Sequence, residues 1–336
     1  MTGGDDGAAV DAAAVDAAAR RLAAGRLVAF PTETVYGLGA DASDPDAVAR
    51  IFAAKGRPSD HPLIVHLPPD ADVLRWARDV PPLATRLIDR FWPGPLTLIL
   101  PRRPGVGEAA AGGQDSIGLR CPSHPVARRL LRRYAELAGD RPIGVAAPSA
   151  NRFGRVSPTR AAHVLAEFRS ASTDDVDADV YVVDGGDCDV GIESTIVDCS
   201  RLASVGPVLL RPGRVTATML AEVIGARPAT ADAAAPRASG TLASHYAPTT
   251  PVRLVDAAAL AEAPDDVAVW SWSREAPAAR SGRWSRAPAD AERYAHVLYA
   301  ALRDLDAVGA PAVWIERPPD GPDWVGVLDR LGRAAA

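Results

Sequence analysis

FPTETVYGLGADA, residues 30–42, decides how the rest of the chain reads. It leaves the short apolar run 27–30 and passes at once into Pro31, Thr32, Glu33, Thr34 and Tyr36, followed by Gly37 and Gly39. An apolar run that stops in small polar groups puts hydroxyls at a strand end, within reach of a ligand; the same threonines would also suit a turn that closes its own backbone hydrogen bonds. Upstream, the Ala-rich opening is helical from about Ala9 and ends at Gly25, a C-cap, so helix precedes strand. Downstream, strand-like runs recur at 63–67, 96–100, 116–120, 143–147, 180–183, 194–198 and 207–210, with helical spacing at 45–54, 80–91, 125–137 and 159–168. This alternation predicts an α/β domain with a large mixed sheet, ending near residue 225.

Residues 226–251 are rich in Ala, Pro, Thr and Ser without periodicity, as a linker or covering loop would be. Beyond them, apolar runs at 252–255, 267–270 and 313–316 and a helical stretch at 289–305 predict a small α/β domain over 252–336. Two domains suit a chain of 336 residues that is 48% hydrophobic. A net charge of −5 excludes the global basic field of a protein built to coat nucleic acid, so RNA contact would be local and transient. Cys121, Cys188 and Cys199 are too widely spaced for a disulfide framework or a zinc site, which fits a reducing compartment and a cytoplasmic location. Asp5, Asp6, Asp11 and Asp16 break the N-terminal segment, so it is expected to stay on the mature protein. No apolar run reaches about 18 residues, so no membrane span is expected.

The other polar segments also follow or precede apolar runs. In AKGRPSDHPLIVHL, Lys55 and Arg57 flank Gly56, with Pro58 and Ser59 next. A compact ammonium and a planar guanidinium suit phosphate oxygens at different positions; a solvated basic pair is the plainer alternative. His66 closes the next apolar run, where a satisfied core histidine is the common case. FWPGPLTLIL, 91–100, reads as architecture: a rigid turn ahead of a strand. Arg120 ends a short strand, where its fork could meet a substrate carboxylate. AAPSANRFGRVSPT offers Ser149, Asn151 and Ser157, groups suited to phosphate, ribose or base or, equally, to turn capping. Ser194 and Thr195 start one apolar run, and Arg211 follows another. No GxxxxGK[ST] loop, HExxH, CxxC pair or GxSxG elbow occurs, which disfavours the familiar ATPase and hydrolase folds.

In this order, PTETVYGLGA, KGRPSDHPLIVH, FWPGPLTLIL, APSAN with SPT, GIESTIVD and LLRPG resemble the YrdC-type threonylcarbamoyl-AMP synthases, in their long two-domain branch. The resemblance implies a twisted mixed-sheet domain with a concave, positively charged cleft, a linker that touches the cleft and a small Rossmann-like domain. It implies that threonine's amine captures bicarbonate or carbon dioxide and that the carbamate oxygen attacks the α-phosphate of ATP, expelling pyrophosphate. Thr32, His66, Arg120 and Ser194 would hold L-threonine. Lys55, Arg57, Ser59, Ser149, Asn151, Ser157 and Arg211 would line the ATP site, Lys55 and Arg57 acting in catalysis, with Mg2+ carried on the triphosphate. Downstream threonylcarbamoyl-transferase proteins would take the product to tRNA. His245 and Tyr246 stand where the family's linker pattern expects them, but the preceding ASGTLAS lacks the Pro and Met often found there. Two alternatives differ in class: a double-stranded RNA-binding module without catalysis, against which the acidic charge counts, and a carbamoyl transferase of hydrogenase maturation, against which the lack of clustered cysteines counts.

Overall fold

A computed structural model describes residues 11–168, 180–277 and 282–336. The first helix, α1 (Ala12–Ala23), is capped by Asp11, whose side chain accepts from Ala13 N. The sequence places its start near Ala9, but residues 9 and 10 lie outside the described residues. β1 (Val28–Phe30) pairs antiparallel with β2 (Gly37–Asp41), a strand that the sequence does not signal because GLGAD lacks β-branched residues. Then come α2 (Pro45–Lys55), β3 (Ile64–His66), α3 (Pro82–Phe91), β4 (Leu96–Pro101), β5 (Ser116–Arg120), α4 (Pro125–Ala138), β6 (Val145–Ala146) and α5 (Ala161–Phe168). They are followed by β7 (Tyr181–Val182), β8 (Thr195–Asp198), α6 (Leu202–Val205), β9 (Val208–Arg211), α7 (Ala217–Ile224) and β10 (Ala229–Thr230).

These strands form one mixed sheet of order β10-β9-β8-β4-β5-β3-β6-β2-β1-β7. Period-two alternation divides its residues between two faces. Val65, Leu98, Leu119 and Val197 join a core with α2, α3, α5 and α7. On the opposite face, α1 and α4 cover Val28, Phe30 and Val145, while Ala235 and Ala238 pack against Ile64, Ile99, Ile196 and Leu210. Between these two covers lies an open stretch of sheet that carries His66 and Arg120, register partners on the parallel pair β3 and β5.

The C-terminal strands β11 (Val252–Val255), β12 (Ala268–Ser271), β13 (Trp284–Arg286) and β14 (Val313–Glu316) form a parallel sheet of order β11-β14-β12-β13. Its helices α8 (Ala291–Ala307) and α9 (Val325–Ala334) lie between this sheet and the large one. Their core residues Leu298, Leu302 and Leu331 share one apolar cluster with Val35, Val156 and Ile192. Neither β13 nor α9 has a clear signature in the sequence. No described helix is long and apolar enough to cross a membrane.

Candidate active site

The open stretch of the large sheet is the floor of a cleft lined by Thr32, Thr34, Lys55, Arg57, His66, Arg120, Ser149, Asn151, Ser194 and Arg211, with Glu193, His245 and Tyr246. The sequence places these groups at strand ends, and the structure refines that picture. β6 runs antiparallel to its neighbour β3, so Ser149 and His66 lie toward opposite ends of this strand pair. The loop after β1 closes the gap, because Thr34 Oγ1 accepts from Arg120 Nη1 at 3.0 Å. Thr32 Oγ1 sits 2.8 Å from Thr34 Oγ1 and accepts from Thr34 N and Val35 N, so the turn-forming and site-lining readings of these threonines hold together.

Arg120 is held on three sides. Nε donates to the Gly94 carbonyl at 3.3 Å, Nη1 to Thr34, and Nη2 pairs with Glu33 Oε1 at 2.7 Å. Glu33 Oε2 accepts from Ser123 N at 3.1 Å. A guanidinium has five N–H groups, and Nη2 meets Glu33 as an ion pair without a hydrogen bond, so at least one N–H on each terminal nitrogen remains for a carboxylate. Glu33 was not among the sequence candidates; a glutamate between two threonines in an otherwise apolar, Gly-rich stretch was its only signal. The FWPGP turn, read as architecture, supplies the Gly94 carbonyl, and Thr97 Oγ1 lies 2.8 Å from Ser194 Oγ.

On the other side, α2 ends at Lys55, and Gly56 in the left-handed region turns the chain so that Arg57 also faces the cleft. Lys55 Nζ donates to the Ser149 carbonyl at 2.6 Å and to the Asn151 carbonyl. Burial, and then Arg57, lower its pKa well below the ordinary lysine value. Arg57 Nη2 donates to the Pro62 carbonyl at 3.0 Å, and its pKa is lowered to about 10, mainly by burial. Arg211 donates to the Ser194 carbonyl and hydroxyl at 3.0 and 3.1 Å and to the Ser239 carbonyl at 2.8 Å. Four cationic groups against the carboxylates of Glu193 and Glu33 leave this buried cleft with a surplus of positive charge, which favours an entering anion. Arg57 Nε, His66 Nδ1, Asn151 Oδ1 and His245 Nδ1 have no hydrogen-bond partner among the described residues.

Two sequence candidates take other positions. Ser59 is exposed and does not line the cleft, because the chain beyond Arg57 turns outward through Pro58. Ser157 is fully buried beneath the cleft, its hydroxyl donating to Glu193 Oε1 at 2.6 Å. Among the described residues no group of three His, Cys, Asp or Glu could hold a metal ion.

The linker closes the cleft. Only ≈ 30 Å³ is open to the centre of a water molecule, against the ~300 Å³ lower bound of ordinary ligand pockets. Ser239, His245 and Tyr246 of the linker line the cleft; Tyr246 is buried in the left-handed backbone region (φ 61), its ring on Tyr299 at 5.6 Å and beneath Arg330 at 5.4 Å. A Cβ at Gly240 would stand 1.9 Å from the Tyr246 hydroxyl, so glycine alone fits this crossing.

Burial lowers the pKa of His66 to about 3, with Arg120 adding to the effect, and burial likewise lowers that of His245 to about 3. Unfolded histidine titrates near 6.5. Below that pH the unfolded chain therefore binds protons that the folded chain refuses, and stability is lost as pH falls from 6.5 toward 3. The slope is at most about 1.4 kcal/mol per pH unit for each histidine. Denaturant unfolding at pH 7, 5.5 and 4.5 should show this decline; a flat profile would contradict buried neutral histidines.

The Sua5/yciO/yrdC family, described as telomere recombination, matches residues 20–213, and the family described as threonylcarbamoyl-AMP synthase, C-terminal domain, matches residues 215–336. A Pyrococcus abyssi protein named threonylcarbamoyl-AMP synthase is 44% identical over 68% of this chain, which spans 64% of that relative's length. A Schizosaccharomyces pombe protein of the same name is 34% identical over 92% of this chain and 85% of its own. The crystal structure of P. abyssi Sua5 complexed with L-threonine superposes with a TM-score of 0.82 at 34% identity, covering 96% of this chain and 94% of that one.

Proposed function

This chain belongs to the Sua5/YrdC threonylcarbamoyl-AMP synthase family, and from that membership we propose that it joins L-threonine, bicarbonate and ATP into threonylcarbamoyl-AMP. The observation that carries this reading is the pairing, in one cleft, of a carboxylate-sized fork at Arg120 with three cations, Lys55, Arg57 and Arg211. In this reading the threonine carboxylate takes free N–H groups of Arg120, near Thr32, His66 and Ser194; that a member of the family binds threonine is supported by the L-threonine complex of the Pyrococcus relative. His66, neutral at physiological pH, leaves the amine free of a second positive charge.

The amine nitrogen bonds to the carbon of bicarbonate or carbon dioxide and loses a proton, with water leaving in the bicarbonate case. A carbamate oxygen then bonds to the α-phosphorus as the bond to the pyrophosphate oxygen breaks. No enzyme nucleophile takes part, so catalysis is positioning plus neutralisation of charge on the phosphate oxygens. Lys55, Arg57 and Arg211 supply that charge, Ser149 and Asn151 supply polar contacts, and Mg2+ enters as part of the MgATP substrate. Tyr246 must withdraw before ATP can enter. The product is an activated acyl phosphate suited to a separate transferase that modifies tRNA.

Pyrophosphate release from ATP, with magnesium and bicarbonate, is expected with L-threonine and not with L-valine or without amino acid. Absence of threonine-dependent release, alongside salt-sensitive binding to double-stranded RNA, would replace this reading with the binding-module alternative.

A further inference from the structure

Among the described residues that line the cleft, Glu193 is the only carboxylate. A bare carboxylate there would repel a triphosphate, yet it is buried and ionised. Burial raises its pKa, but Arg330, Arg211 and hydrogen bonds outweigh that and leave it at about 2. The main counter-charge comes from the small domain. Arg330, on α9 and fully buried, donates from Nε to Glu193 Oε2 at 2.8 Å and from Nη2 to the Glu193 carbonyl at 3.2 Å. Nη1 reaches the Pro212 carbonyl at 2.9 Å and Asp329 Oδ2 at 2.7 Å. Tyr299, on α8, donates to the same Glu193 Oε2 at 2.7 Å. The helix presses so closely that a Cβ at Gly191 would meet the carbonyls of Ala295 and His296 at 2.4 Å.

We propose that Arg330, which does not line the cleft, is a positioning residue for the nucleotide: from behind the cleft it neutralises Glu193 and, through it, holds Ser157 in place. The small domain thereby sets the charge of a site built on the large one. The inference rests on the cleft being the ATP site. Removing one partner of a buried pair leaves an uncompensated charge, whereas removing both does not, and this asymmetry separates a charge role from a packing role.

The test is ATP affinity by calorimetric titration of the full chain, with KM for ATP and for threonine where turnover is measurable. Arg330→Met is expected to weaken ATP binding at least about tenfold, with KM for threonine moving much less. Arg330→Lys should keep most of the affinity. The neutral double variant Glu193→Gln/Arg330→Met should regain most of what Arg330→Met loses. If Arg330→Met does not fold, the double variant compared with wild type decides the matter. A double variant as weak as Arg330→Met, or weak itself against wild type, overturns the inference, as does equal weakening toward ATP and threonine. Wild-type protein that binds ATP without releasing pyrophosphate would refute the assigned reaction and leave the charge comparison readable. Wild-type protein that does not bind ATP overturns both.

Discussion

Arg120→Ala is expected to lower kcat/KM for L-threonine by about 10³-fold or more, the largest loss of any single substitution in the cleft. The expectation follows from the free N–H on each terminal nitrogen of Arg120, which together match both oxygens of an amino-acid carboxylate. No neighbour replaces them: Lys55, Arg57 and Arg211 are each tied to backbone carbonyls, of Ser149 and Asn151, of Pro62, and of Ser194 and Ser239 respectively. The loss should fall mainly on KM for threonine, since the carboxylate is bound alike in ground and transition states. Alanine also strands Glu33, a buried carboxylate whose counter-charge is Arg120, and breaking such a pair costs roughly 3–5 kcal/mol of stability. Arg120→Ala/Glu33→Gln is therefore the control: it should fold at least as stably as Arg120→Ala and remain inactive. Initial rates over a threonine titration, with denaturant unfolding of both variants, check this. Near-normal threonine KM in either would remove Arg120 from the site.

Lys55→Ala is expected to cut kcat/KM for ATP by about 10²- to 10³-fold, the scale of losing one preorganised charged donor at a reacting phosphate. Its ammonium now leans on the carbonyls of Ser149 and Asn151, neither of which is an anion. With burial lowering its pKa, the protonated form gains more from an incoming triphosphate than an exposed lysine would. Two readouts follow. KM for ATP rises in Lys55→Ala while threonine affinity changes little. In wild type, ATP affinity falls as pH rises through the free-enzyme pKa of Lys55, because binding must then bring a proton. Calorimetry of ATP binding in buffers of different ionisation enthalpy measures that proton directly. Wild-type-like ATP kinetics in Lys55→Ala would assign the lysine to supporting the 149–151 loop.

Removal of residues 249–336 is the cleanest dissection of the two sheets. Linker composition alone suggests that a folded first unit remains. The shared cluster around Val35, Val156 and Ile192 and the buried pair Glu193–Arg330 predict that such a fragment loses ATP affinity even where it keeps its secondary structure.

The sequence by itself determined the local chemistry. Apolar runs of four or five residues set most strands of the large sheet, and helix starts at Pro45 and Pro125 follow from proline's preference for a first helical turn, while the helix read from residue 80 begins at Pro82. The ordered motifs brought Thr32, Lys55, Arg57, Arg120, Ser194 and Arg211 into view because each carries a polar group beside an apolar run. Strand β2 escaped because GLGAD owes its extended form to partners on both sides rather than to its own propensities. Only the tertiary structure decided which groups neutralise one another. Glu33 meets Arg120 across 87 positions and Glu193 meets Arg330 across 137, as differences of their residue numbers show. Pairing at such separations depends on strand order and on the docking of one sheet's helices against another, and no local period in the sequence encodes it. The same holds for Ser59, which the turn at Pro58 carries out of the cleft, and for Tyr246, whose place over the site is fixed by contacts from α8 and α9.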